Sequence, residues 1–168
     1  MCCTRATATS STLAGVGVRF LIDAARSGGG FSCVEHPIDP RTLGSPIHTH
    51  TREDEYSFVL EGRIGLLLGD EVLEAGVGDL VFKPRGEPHA FWNATDEPAR
   101  FLEIISPGGF EQYFAEAAVM FPETGQPDME AFAALCERYG LLMDFDSVPR
   151  LAAEYGVELP PEGELATG

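Results

Sequence analysis

Short apolar runs broken by glycine and proline recur roughly every 8–12 residues between Val16 and Ser106, and this rhythm excludes most folds. The run Val16–Ile22 is followed by the turn Ser27–Gly30. Phe31–Ile38 ends at Asp39-Pro40, and Gly44-Ser45-Pro46 leads into Ile47–His50. Glu55–Leu60, Arg63–Leu68 and Glu71–Leu73 continue the series, with Gly69-Asp70 as a two-residue hairpin between the last two. Leu80–Lys83, His89–Ala94 and Ala99–Ser106 complete it. The 19 glycines and 12 prolines suit many short strands, and 44% apolar residues can fill a core without a disulfide or metal staple. A chain of 168 residues fits one domain, so the expected architecture is an all-β sandwich or barrel.

After Pro107-Gly108-Gly109 the period changes. Apolar residues at 110, 113, 114, 117 and 120 predict a helix. A second helix fits Pro127–Tyr139, with Asp128 as N-cap and Gly140 as its stop; a third fits Ser147–Tyr155, capped by Ser147 and ended by Gly156. The expected organisation is a disordered tail over 1–13, a barrel over 14–109, helices packed on it over 110–159, and a frayed tail over 160–168.

Charge narrows the partners. Against 11 basic residues stand 27 acidic ones, a net charge of −16, which repels nucleic-acid phosphates and anionic lipid. The partner expected is a small-molecule substrate, with no nucleic acid and no membrane. The N-terminal stretch has no signal-peptide core, and no 18-residue apolar run exists, so a cytoplasmic location is expected. Cys2, Cys3, Cys33 and Cys136 form no C-x-x-C pair; Cys33 and Cys136 sit in apolar patterns and read as buried small hydrophobes.

The chain has 4 histidines, at 36, 48, 50 and 89. In a strand, side chains two apart share a face, so His48-Thr49-His50 sends both imidazoles into one space. Glu55 begins the next strand, and His89 begins a strand after the turn Pro84–Pro88. Three imidazoles and a carboxylate can meet at one divalent ion, and this donor set suits Fe, Mn, Ni, Co, Cu or Zn. Four protein ligands on a six-coordinate ion leave two positions for water or substrate.

These residues carry a family resemblance. His48-Thr-His-Thr-Arg-Glu-Asp-Glu55-Tyr-Ser-Phe-Val-Leu-Glu-Gly62 resembles the first cupin motif, H-x-H-x(3,4)-E-x(6)-G. Gly78-Asp-Leu-Val-Phe-Lys-Pro84-Arg-Gly86-Glu-Pro-His89-Ala-Phe-Trp-Asn93 matches the second, G-x(5)-P-x-G-x(2)-H-x(3)-N, at every fixed position, with 15 residues between the two. Thr42 stands where the family often has glycine six residues before the first histidine, and Gly44 lies nearby. Glu53, Asp54 and Glu55 compete for the carboxylate role; Glu55 alone satisfies both motif spacings.

The resemblance implies a double-stranded β-helix, a jelly-roll barrel with a short C-terminal helical extension. It also implies one divalent metal ion per chain on His48, His50, Glu55 and His89, and a homodimer. The frame from Asp23 to Phe110 is loosely similar to bacterial quercetin-dioxygenase-like cupins. The implied activity is a metal-dependent dioxygenase acting on a small aromatic or enolisable, flavonol-like compound, with Glu55 as catalytic base. Non-oxidative cyclase or isomerase chemistry and non-catalytic ligand binding are the alternatives.

Alternation fixes the remaining expectations. Ser57 and Val59 share the face of Glu55, and Phe91 and Asn93 share the face of His89. Val59, Phe91 and Glu35 are the expected pocket residues, and His36 is expected to face solvent or the opposite sheet. No inward lysine or arginine is assigned, although Arg63 and Lys83 are nearby in sequence. Phe110, Tyr113 and Phe114 belong either to a lid or to a helix docked on the barrel.

Overall fold

The computed structural model describes residues 10–13, 16–120 and 128–158. Its elements in order are β1 (Ser10–Leu13), β2 (Val16–Ile22), α1 (Ala24–Ser27), β3 (Ser32–Ile38), β4 (Thr42–Leu43), β5 (Ile47–His50), β6 (Asp54–Glu61) and β7 (Arg63–Leu68). Then come β8 (Glu71–Gly76), β9 (Leu80–Lys83), β10 (His89–Asn93), β11 (Ala99–Ser106), α2 (Glu111–Ala117), α3 (Met129–Tyr139), β12 (Leu141–Asp144) and α4 (Ser147–Tyr155).

The strands form two sheets. The first runs β1-β2-β3-β11-β6-β9; the second runs β12-β5-β10-β7-β8, with β4 also joined to β10. Every ladder between these strands is antiparallel. The expected all-β jelly-roll with short C-terminal helices is what the chain forms. Strict alternation shows best in β11, where Ala99, Phe101, Glu103 and Ile105 are buried and the residues between them are half-buried.

Three apolar clusters explain the packing. Between the sheets, Ile38, Val59, Ile64, Leu66 and Phe101 close one end of the barrel. At the other end, Val18, Val34 and Ile105 join Phe110, Tyr113, Phe132 and Leu135, so α2 and α3 roof the barrel. Outside the second sheet, Leu151 of α4 packs with Leu43, Leu67 and Trp92. Trp92 and Tyr155 stack with ring centroids 3.9 Å apart. Gly65 makes room for this indole, because a Cβ there would lie 2.2 Å from Trp92 Nε1.

Several local expectations change. Residues 10–13, assigned to the tail, pair with β2 as β1. Residues 1–9 and 159–168, including Cys2 and Cys3, lie outside the described residues, as does Pro127. Asp128 does cap α3, accepting from Glu130 N and Ala131 N. Ser147 does not cap α4; its hydroxyl donates to the Asp144 carbonyl and accepts from Ile47 N. That bond, 100 residues away in sequence, outcompetes the local one. Leu141–Asp144, unexpected as a strand, extends the second sheet by pairing with β5. Cys33 and Cys136 are free and buried, and burial pushes the Cys33 thiol up to about 11. Among the described residues no helix is long and apolar enough to cross a membrane.

Candidate metal centre and cavity

Strand register brings the three histidines and Glu55 together. His48 in β5 lies directly opposite His89 in β10, and directly opposite residues on one face of antiparallel strands keep their side chains close. His50 shares the inward face of His48 by strand alternation. Glu55 reaches the same point from β6 in the facing sheet. The ligating atoms of His48, His50, Glu55 and His89 all lie within 4.8 Å of one another, and all four residues are buried. Glu55 Oε1 is 3.3 Å from His50 Nε2, and Oε2 is 3.1 Å from His89 Nε2.

Backbone carbonyls orient two of the rings. The Nδ1–H of His48 donates to the Pro46 carbonyl and that of His89 to the Glu87 carbonyl, both at 3.0 Å. Each Nε2 is thereby left as a lone-pair donor toward the centre. Burial, then the neighbouring His89 and His50, hold His48 well below the usual imidazole range; burial also lowers His89. Burial alone would raise Glu55, but the nearby His50 ring and the Lys83 ammonium outweigh it and keep the carboxyl well below its usual range. Neutral His48 and His89 beside an ionised Glu55 are in the protonation states a divalent ion requires, so this donor set fits one.

Glu53 is buried but stands behind the cluster, with Oε2 3.7 Å from His50 Nδ1, beyond hydrogen-bond range. Asp54 points outward and holds Arg85 at 2.8 Å. Of the three consecutive acids, Glu55 alone joins the histidines.

The centre opens on a cavity of about 230 Å³. Phe91 lines it, as expected from its position two residues after His89. Gly44 is what admits this ring: a Cβ at Gly44 would fall 2.1 Å from Phe91 Cε2. Val59 points inward but lies deeper, fully buried among Ile64 and Phe101 at the closed end of the barrel, and does not line the cavity. The roof supplies Phe110, Tyr113, Phe114 and Phe132, and the Phe110 ring lies 4.3 Å from that of His50.

Glu35 does not take its expected place, and His36 takes the inward of its two, toward the opposite sheet. Glu35 sits on the outer face, in ion pairs with Arg19 and with Arg100, the latter at 3.3 Å. Val34, His36 and Ile38 form the inward row of β3, and His36 lines the cavity. Its Nδ1–H donates to the Gly17 carbonyl at 3.0 Å, and its ring lies 5.2 Å from those of Phe101 and Phe114. Burial lowers its pKa to about 4, so the ring is neutral at physiological pH.

The sequence reading missed a charged pair in the cavity wall. Lys83 is 2% exposed, and its ammonium lies 3.0 Å from Glu55 Oε2 and 2.7 Å from Glu103 Oε2. Ser57 Oγ donates to the same Glu103 oxygen at 2.9 Å. Register again explains the contacts: Lys83 lies opposite Glu55, and Glu103 opposite Ser57. Burial raises Glu103 to about 7, against the opposing pull of Lys83. Its Oε1 has no hydrogen-bond partner among the described residues. An unpartnered buried acceptor costs about 1–3 kcal/mol. The signal for Glu103 was present, since it falls in phase with inward Ala99, Phe101 and Ile105.

A jelly-roll barrel whose one end holds three imidazoles and a carboxylate is the architecture of a cupin. Residues 35–105 match the family described as the cupin domain, and this chain is a small member of the cupin superfamily. It is 33% identical to the polyketide cyclase RemF from Streptomyces resistomycificus, with 61% of this chain and 76% of that chain covered and a TM-score of 0.53. KdgF from Halomonas sp. shares the fold at 17% identity, with a TM-score of 0.59 over 67% of this chain and 97% of that one. An uncharacterised protein of Methanocaldococcus jannaschii is 32% identical over 66 residues, 39% of this chain. The chain spans 50% of the length of that relative.

Proposed function

We propose that this cupin is a metal-dependent enzyme acting on a small aromatic or enolisable compound. The observation that carries the reading is the His48, His50, Glu55 and His89 cluster at one end of an aromatic-walled cavity. A bound ion supplies Lewis acidity toward a substrate oxygen, and a redox-active one also supports dioxygen chemistry. The chain's residues do the rest. Phe91, Phe110 and Phe114 hold an apolar ring and exclude water. Lys83 places a fixed positive charge beside the oxygen that becomes anionic on enolisation. Glu55, when freed from one of its contacts, is placed to take a proton from a substrate hydroxyl.

Two reactions suit this site. The likeness to a polyketide cyclase favours ring closure of a polyketide-like substrate without an oxidant. Dioxygenation of a flavonol-like compound is supported by the same donor set, which accepts iron, manganese, nickel, cobalt or copper. Oxygen uptake and product mass, followed for an aryl polyketone and a flavonol with each reconstituted metal, separate them. Loss of water with no oxygen uptake is the expected outcome for the cyclase; uptake with both atoms of dioxygen recovered in the products, any expelled carbon monoxide included in the balance, selects the dioxygenase. Ligand binding with no conversion under any metal rejects both in favour of a binding module.

Pairing of two copies is supported by the exposed outer face of the β6–β9 edge, where Phe58, Leu80 and Phe82 are 37%, 60% and 47% exposed. Sedimentation equilibrium is expected to give twice the chain mass; a single-chain mass at micromolar concentration rejects the pairing.

A further inference from the structure

Glu103 is bonded one-sidedly. Ser57 and Lys83 both donate to Oε2, at 2.9 and 2.7 Å, while Oε1 is buried with no partner among the described residues. A carboxylate kept only to neutralise Lys83 gains most by dividing its donors between both oxygens. Here one acceptor is left open in a residue that lines the cavity. Lys83 cannot fill it, because that ammonium already bridges Glu103 and Glu55.

We infer that Glu103 sets the substrate specificity of the cavity: its Oε1 accepts a hydrogen bond from a hydroxyl group of the bound compound. The ligand is then an aromatic or enolic ring system with two oxygen functions, one at the metal centre and a hydrogen-bond-donating one at its distal side. This rests on the reading of the cluster as a metal site. The spacing agrees with it. The Glu55 and Glu103 carboxylates share a single ammonium, by contacts of 3.0 and 2.7 Å, so Glu103 lies close beside the histidine–glutamate cluster. The Phe91 ring, 5.8 Å from the Lys83 ammonium, gives the ligand an apolar wall beside the pair. An ether in place of the hydroxyl leaves Oε1 unpaired and sets a methyl group against it, which a site built to bond a donor rejects.

The test is a fluorescence titration of the full chain loaded with zinc, which binds without redox turnover. The probes are 3,7-dihydroxychromone and 3-hydroxy-7-methoxychromone, which share the metal-binding enolone and differ in the distal donor. The wild-type protein is expected to bind the dihydroxy probe on the order of 10-fold more tightly, as for one net hydrogen bond. Glu103→Ala and Glu103→Gln are both expected to erase the preference, the glutamine because its carbonyl oxygen is taken by Lys83 and Ser57 and an NH2 donor stands where Oε1 was. Zinc content is measured beside each titration. Equal affinity for the two probes in the wild-type protein, or a preference that survives in Glu103→Ala, overturns the role of Glu103 and leaves the metal site standing. A wild-type protein that holds no zinc overturns the metal reading and this inference with it. Zinc-loaded protein that binds neither chromone overturns the ligand class.

Discussion

The two sheets meet the cavity with different chemistry. The second sheet brings His48, His50 and His89, rings of which two have Nδ1 tied to carbonyls. The first brings Glu55, Lys83 and Glu103, a row of charges bonded to one another across adjacent strands. The histidine face is organised by its own backbone and waits for an ion. The charged face is organised by mutual attraction, and its members depend on each other. Loss of one histidine therefore removes a ligand, whereas loss of Lys83 strands two buried carboxylates.

The largest effect expected from this contrast is on metal content. His48→Ala or His89→Ala should weaken binding on the order of a hundredfold or more, since even outer-sphere changes cost 10- to 100-fold. Elemental analysis of purified protein should fall from about one ion per chain, as the four-ligand set implies. Full occupancy in both variants would sink the assignment. Within the same assay Glu55→Gln should matter and Glu53→Gln should barely register, because Glu53 stands 3.7 Å behind His50. A larger loss for Glu53→Gln means the wrong carboxylate was chosen.

A smaller effect, on stability, sharpens the other face. Lys83→Met leaves Glu55 and Glu103 buried without their shared cation and should cost about 3–5 kcal/mol in metal-free protein. Denaturant unfolding measures it. Adding Glu103→Gln to Lys83→Met should recover part of that loss, because one stranded charge is gone. Additive losses would mean that the two residues do not act as a pair.

The same contrast explains what the sequence made legible. The histidines are compressed into two stretches whose spacing places them on one face of short strands, so they can be found without a fold. The Lys83–Glu103 pair is separated by 20 residues, and its meeting depends on β9 and β11 flanking β6. That neighbour relation is a property of the sheet order and not of local pattern. The misplacement of Glu35 has a similar cause. In β3 both faces are covered, one by the cavity and one by Arg19 and Arg100, so five consecutive residues are buried and alternation gives no phase. Val59 was assigned to the right face and the wrong depth, because alternation says nothing of how far along the barrel a cavity extends. Ser147 shows a local rule yielding to a distant one, its hydroxyl taken by Ile47.

Strand β10 works on both sides, with His89 and Phe91 turned to the cavity and Trp92 turned to α4. Trp92 is the chain's single tryptophan. The protein therefore carries one indole, seated behind the strand that holds His89 and stacked on Tyr155. Its emission reports the seating of the last helix, while the chromophores facing the bound compound are phenylalanines and tyrosine. Light absorbed by that indole and light absorbed by a cavity ligand thus read opposite sides of the same five residues.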